Sequence, residues 1–157
     1  MALEFSQESE ARVKEVLDEY YNVESTVIPV LFIAADQFGA IDGEVCVLVA
    51  KRLGLDRMHV ETVASFYTMV PKKPQGRYHI QVCRTLSCAM AGAPRLADHL
   101  HRKLGVEPGE ITADGKFSYE EVECLAMCGT APAMIVNKTN YENLTPEKID
   151  QILDRLE

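Results

Sequence analysis

The first half of the chain carries apolar residues at helical spacing, and the second half changes to strand alternation. Ser6 is a suitable N-cap, with Glu8 and Glu10 in the first turn after it. Beyond them Val13, Val16, Leu17, Tyr20 and Tyr21 recur at the three- and four-residue intervals of one helical face. A second helix is predicted over residues 27–38, closing at Gly39, and a third over 43–53, closing at Gly54. Glycine in these places supplies the left-handed backbone that ends many helices. Asp56 caps a fourth, whose apolar stripe is Met58, Val60, Val63, Ala64 and Phe66; the pair Phe66–Tyr67 is assigned to the core. Pro71, Pro74 and Gly76 then break the pattern, placing a boundary near residues 71–76.

After that boundary Tyr78, Ile80 and Val82 alternate with His79 and Gln81, predicting a strand that ends at Cys83. A helix is predicted over about residues 88–104, with Met90, Leu96, Leu100 and Leu104 on its inner side and Gly105 at its end. Residues 110–112 and 116–122 flank Asp114-Gly115, a dipeptide suited to a tight turn, so the two segments are expected to pair as an antiparallel hairpin. Residues 133–136 form a short apolar strand. Thr145-Pro146-Glu147 combines an N-cap, a first-turn proline and an acid, opening a helix that runs to residue 156. The expected organisation is a helical subdomain over residues 1–72 followed by an α/β domain over 77–157.

Charge and composition narrow the function. Acidic residues outnumber basic ones 24 to 16, and a net charge of -8 argues against a phosphate backbone as partner, so nucleic acid is excluded. A helical start could suggest a DNA-reading motif, but without a basic face it is better read as a docking arm. The longest apolar run, residues 27–35, is interrupted by Pro29 and falls short of the roughly 18 residues a membrane span needs. Glu4, Glu8 and Glu10 in the first ten residues fit neither a signal nor a transit peptide, and a cytoplasmic setting is expected.

The chemistry lies in the cysteines. Cys83 and Cys88 form C-x4-C, Cys124 and Cys128 form C-x3-C, and Cys46 stands alone. An odd count without a secretory signal makes a disulfide framework improbable. Both pairs follow predicted strands, and adjacent strands can bring their ends together, so four thiolates could converge on one soft-metal centre. Four such ligands suit a 2Fe-2S cluster. Zinc is the main competitor, but neither pair has the common C-x2-C knuckle; the third nearby cysteine of plant-type ferredoxins is also missing. The loops between the ligands, Arg84, Thr85, Leu86 and Ser87 in one and Leu125, Ala126 and Met127 in the other, offer N–H groups to sulfur. Thr85 and Ser87 add hydroxyls, while Arg84 is as readily a solvated surface charge. No G-x-G-x-x-G follows a strand and there is no P-loop, so nothing forms a nucleotide cradle.

These residues resemble the thioredoxin-like 2Fe-2S subunit of NADH dehydrogenases, the 24 kDa or E-type subunit of respiratory complex I. The resemblance spans nearly the whole chain. It rests on Val60-Glu61-Thr62-Val63-Ala64-Ser65-Phe66-Tyr67, on Cys83-x4-Cys88, and on Cys124-Leu125-x-x-Cys128-x-x-Ala131-Pro132. It implies a thioredoxin-like 2Fe-2S ferredoxin domain behind the N-terminal helical subdomain, with Cys83, Cys88, Cys124 and Cys128 as cluster ligands and no catalytic residue. It also implies electron exchange with an FMN on a neighbouring F-type, or 51 kDa-type, flavoprotein, where NADH is oxidised, within a complex that reduces quinone. Ala126 stands where the family usually has glycine, and Val70 where phenylalanine is common. Related subunits occur in NAD-linked hydrogenases and formate dehydrogenases; a free-standing ferredoxin and a zinc-stabilised interaction module are the remaining alternatives.

Other residues receive plainer readings. Cys46, within Val45-Cys46-Val47, is a small buried hydrophobe. His99 and His101 do not share a helical face, His59 and His79 are isolated, and none is expected to bind a metal. Pro132, in the thioredoxin architecture the resemblance implies, is the candidate for a cis peptide bond.

Overall fold

The computed structural model describes residues 3–156. The chain divides into two compact units between Pro74 and Gln75.

The first unit is helical: α1 (Gln7–Glu19), α2 (Val27–Phe38), α3 (Gly43–Leu53) and α4 (Arg57–Phe66), with a short 3-10 turn over Glu24–Thr26. Ser6, Asp56, Gly39 and Gly54 cap as the sequence indicated, and Asp42 adds an N-cap that the sequence reading did not name. Ser6 accepts from Ser9 N–H, Asp42 from Glu44 and Val45, and Asp56 from Met58, while Gly39 and Gly54 take left-handed backbone. Val13, Val30, Leu31, Val49 and Val60 meet in one fully buried core. Two expectations fail at the edges of this unit. Helix α1 stops at Glu19, so Tyr20 and Tyr21 leave its apolar face and are exposed. In α4 only Val60 and Ala64 are fully buried, with Val63 packed beside them; Met58 and Phe66 point outward. Phe66–Tyr67 is therefore not core: its rings contact each other edge to face and are 75% and 43% exposed. The helix ends there, and Val70 turns inward instead.

The second unit is a four-stranded sheet, ordered β2-β1-β3-β4, from β1 (Tyr78–Cys83), β2 (Phe117–Val122), β3 (Met134–Val136) and β4 (Thr139–Tyr141). Strand β1 pairs parallel with β2, from Tyr78 beside Phe117 to Cys83 beside Val122, and antiparallel with β3. Helices α6 (Ala93–Leu104) and α7 (Pro146–Arg155) bury Leu96, Leu100, Ile149 and Leu153 with Ile80, Val82, Tyr119 and Met134 of the sheet.

Here the sequence misleads twice. The predicted helix over 88–104 is two helices, α5 (Leu86–Met90) and α6. Gly92 takes φ +102° between them, and Pro94, which has no N–H to give, is tolerated only in the first turn of a new helix. The predicted hairpin is reduced to a turn, with Ile111 forming a single antiparallel bridge to Ser118. Thr112 closes that turn by accepting Phe117 N–H on its hydroxyl, and β2 gives its ladder to β1.

Candidate metal centre

The parallel pairing of β1 and β2 directs both strands out of the same end of the sheet. Cys83 is the last residue of β1, and Cys124 follows two residues after the end of β2. Cys88 lies on α5, one turn into the helix that begins after the Cys83 loop. Cys128 opens a 3-10 turn over Cys128–Thr130, just before the cis Ala131–Pro132 bond and β3. Cys83 and Cys88 are buried and Cys124 and Cys128 exposed, while Ala93 and Ala133 pack beside the buried pair with Leu125 and Met127.

The sulfurs are provided with donors. Thr85 Oγ1 lies 3.2 Å from Cys83 Sγ, and Ala126 N–H donates to Cys124 Sγ at 3.3 Å. Backbone N–H groups of Leu125 and Ala133 serve Cys83 and Cys88 respectively. Burial pushes both buried thiols up. At Cys83 this is outweighed by the Thr85 hydroxyl, the N–H groups of Leu125 and Thr85 and the Cys88 thiol, which bring it below the usual thiol range. At Cys88 burial prevails, reinforced by the hydrogen bond to Cys83 and by the charges of Cys83 and Cys128. The two neighbouring thiols are thus shifted in opposite directions.

Of the predicted loop donors, Thr85 faces sulfur as expected. Arg84 does not: its N–H goes to Val122 O, and its guanidinium pairs at 2.6 Å with Glu123 in solvent. Cys46 is buried on α3, in the first unit, and desolvation raises its pKa, as befits an inert hydrophobe. Among the described residues no three His, Cys, Asp or Glu side chains gather closely enough to hold a single metal ion. His79, read from sequence as isolated, has both ring nitrogens engaged, by Ser118 and Glu120 of β2. The register that makes these contacts belongs to the parallel pairing, which the hairpin signal concealed.

Residues 13–157 match the thioredoxin-like [2Fe-2S] ferredoxin family, and the chain belongs to that family. It is 38% identical over 135 residues, covering 86% of this chain and 80% of the relative, to the E 2 subunit of the NADH-quinone oxidoreductase of Rhizobium meliloti (strain 1021). Identity is 41% over 133 residues, 84% of this chain and 80% of the relative, with the E subunit of the NADH-quinone oxidoreductase of Rickettsia bellii (strain RML369-C). It is 42% over 130 residues, 82% of this chain and 72% of the relative, with NADH-quinone oxidoreductase subunit 2 of Thermus thermophilus. A crystal structure of an NAD+-reducing [NiFe]-hydrogenase in the air-oxidized state aligns at a TM-score of 0.71 and 23% identity. The alignment covers 83% of this chain and 22% of that one, and is a likeness of fold. Among the described residues no helix is long and apolar enough to cross a membrane.

Proposed function

We propose that this chain is the electron-transfer subunit of an NADH-quinone oxidoreductase. In this reading Cys83, Cys88, Cys124 and Cys128 hold one 2Fe-2S cluster, and electrons pass between it and the FMN of a flavoprotein partner that oxidises NADH. The observation that carries the reading is the exit of both cysteine loops from one end of two adjacent parallel strands. The donor set fits the group. All four ligands are soft sulfurs, and N–H or hydroxyl donors face those of Cys83, Cys88 and Cys124, as suits thiolates bound to iron. Neither cysteine pair has the C-x2-C spacing common at structural zinc sites.

When bound, the cluster supplies a one-electron store. The protein supplies the rest: Ala93, Ala133, Leu125 and Met127 exclude water from the Cys83–Cys88 side, and the exposed Cys124–Cys128 side gives a partner's flavin its shortest approach. Iron and acid-labile sulfide analysis of anaerobically purified protein, with EPR spectra before and after dithionite, tests this. Two irons and two sulfides per chain are expected, with a signal only on reduction. Cys83→Ala and Cys124→Ala should each abolish that signal while Cys46→Ala keeps it. Full cluster content in both ligand variants, or zinc in place of iron in the wild type, would overturn the proposal.

A further inference from the structure

The two cysteine pairs differ in how firmly the backbone holds them. Cys83 ends β1, where its own N–H donates to Ala133 O at 3.2 Å and the next, of Arg84, to Val122 O at 2.9 Å. Cys88 lies on α5, whose turns are closed by Ala89 N–H to Thr85 O at 2.9 Å and Ala91 N–H to Ser87 O at 3.0 Å. Both are only 2% exposed. Cys124 and Cys128 are exposed, and residues 124–127, between β2 and the 3-10 turn, form neither helix nor strand. In this loop N–H groups turn to sulfur: Leu125 donates to Cys83, and Ala126 to Cys124 at 3.3 Å. The loop also carries the cover of the inner pair. Leu125 and Met127, each partly buried, pack against the cluster of Cys83, Cys88, Ala93 and Ala133.

We propose that the 124–128 loop is the loading arm of the site. Cys124 and Cys128 capture a 2Fe-2S cluster from a donor that presents it on exchangeable thiolates, and the loop then closes to pass it to Cys83 and Cys88. Reaction of a cysteine sulfur is limited by access. The outer pair meets an incoming donor without rearrangement, whereas the inner pair is reached once Leu125 and Met127 lift. Lifting them asks little of the fold, because an exposed loop without ladder bonds opens at a lower free energy than the strand and helix that hold Cys83 and Cys88. Closing restores the apolar contacts of Leu125 and Met127, and that burial drives the second exchange forward. Atoms and charge balance. Each bond from iron to a donor thiolate that breaks is replaced by one to a cysteine of the chain; each cysteine thiol releases its proton, each departing donor thiolate takes one up, and no electron moves. The inference deepens the proposed function and rests on its four-cysteine site.

The full chain, freed of iron by a chelator, is mixed with the glutathione-bound 2Fe-2S complex and followed by visible circular dichroism. Wild type should load in two phases, a first whose rate rises with donor concentration and a slower second whose rate does not. Cys83→Ala combined with Cys88→Ala should keep the first phase and lose the second, while Cys124→Ala combined with Cys128→Ala should lose both. A wild type that takes up no cluster defeats the four-cysteine reading itself. A wild type that loads, beside an outer-pair variant that keeps the fast phase, overturns the loading order alone. A further measurement leaves every cysteine in place: N-ethylmaleimide labelling of the iron-free chain, read by mass spectrometry, should modify Cys124 and Cys128 at least about tenfold faster than Cys83 and Cys88. Leu125→Ala should speed labelling of the inner pair by roughly five- to thirtyfold, the shift in the opening equilibrium that loss of one apolar contact gives. Equal labelling of all these cysteines in the wild type, or an inner pair whose labelling Leu125→Ala leaves unchanged, overturns the proposal.

Discussion

Ala126 is the residue on which the candidate site places most strain. Its φ is +61°, a left-handed conformation that Asn137 and Asn143 also adopt but that alanine visits at a cost of about 1–2 kcal/mol. The loop accepts this because the turn at Ala126 aims its N–H at Cys124 Sγ. The sequence marked the position as a departure from the usual glycine; only the backbone shows that the departure is strained. Ala126→Gly removes the clash and gives back part of the gain as chain entropy, so a net stabilisation of up to about 1 kcal/mol is expected. Ala126→Val, with a branched side chain in the same conformation, should destabilise. Urea unfolding of both variants, with the rate of iron loss in parallel, checks this. A lower midpoint for the glycine variant would mean that the methyl group contributes packing worth more than the strain.

Among the elements, the helices were legible because their ends carry local chemistry. Ser6, Asp56 and Thr145 cap as their sequence positions indicate. The sheet was less legible, since pairing is a long-range choice: Asp114-Gly115 made its turn, yet β2 joined a strand almost forty residues earlier. The reading of the cysteine spacing does not depend on that pairing, because it needs only strand ends that meet, whereas the His79–Glu120 contact depends on the register itself. The same ladder makes a pH prediction. Hydrogen bonding to His79 is the largest influence on Glu120 and, with Gln81, holds its carboxyl below the usual range. A depressed folded-state value adds stability above the unfolded value of about 4.3, and that stability is lost as pH falls through the folded value. Glu120→Gln should therefore unfold at lower urea than wild type at pH 7, with the gap narrowing as pH falls below the unfolded carboxylate range; a constant gap would remove Glu120 ionisation from the stability of the ladder. On the opposite face Leu100 of α6 is fully buried, and Leu100→Ala should cost about 2–5 kcal/mol, read as a lower thermal midpoint of the second unit.

At the scale of the whole molecule, each unit carries its own core, and the segment between them is short, polar and rich in proline. Val13, Leu31 and Val60 belong to one core, Ile80, Leu100 and Ile149 to the other. The segment is nevertheless anchored at both ends. Ile41 N–H donates to Pro71 O at 2.7 Å, and Gly76 lies so close to β2 that an added Cβ would stand 2.5 Å from the carbonyl carbon of Phe117. Lys72 and Lys73 remain exposed between these anchors. Two cores joined in this way should behave as two domains. Trypsin at low concentration is therefore expected to cut first at Lys72, leaving two fragments that resist further digestion, because exposed connecting segments are opened before packed ones. Gly76→Ala should weaken only the second unit, by roughly 1–3 kcal/mol, since backbone atoms rather than a flexible side chain oppose the methyl group. Early cuts scattered through α1–α4 would show that the helical unit depends on the sheet for its stability. A melt in which Gly76→Ala lowers both transitions equally would show that the two cores fold as one.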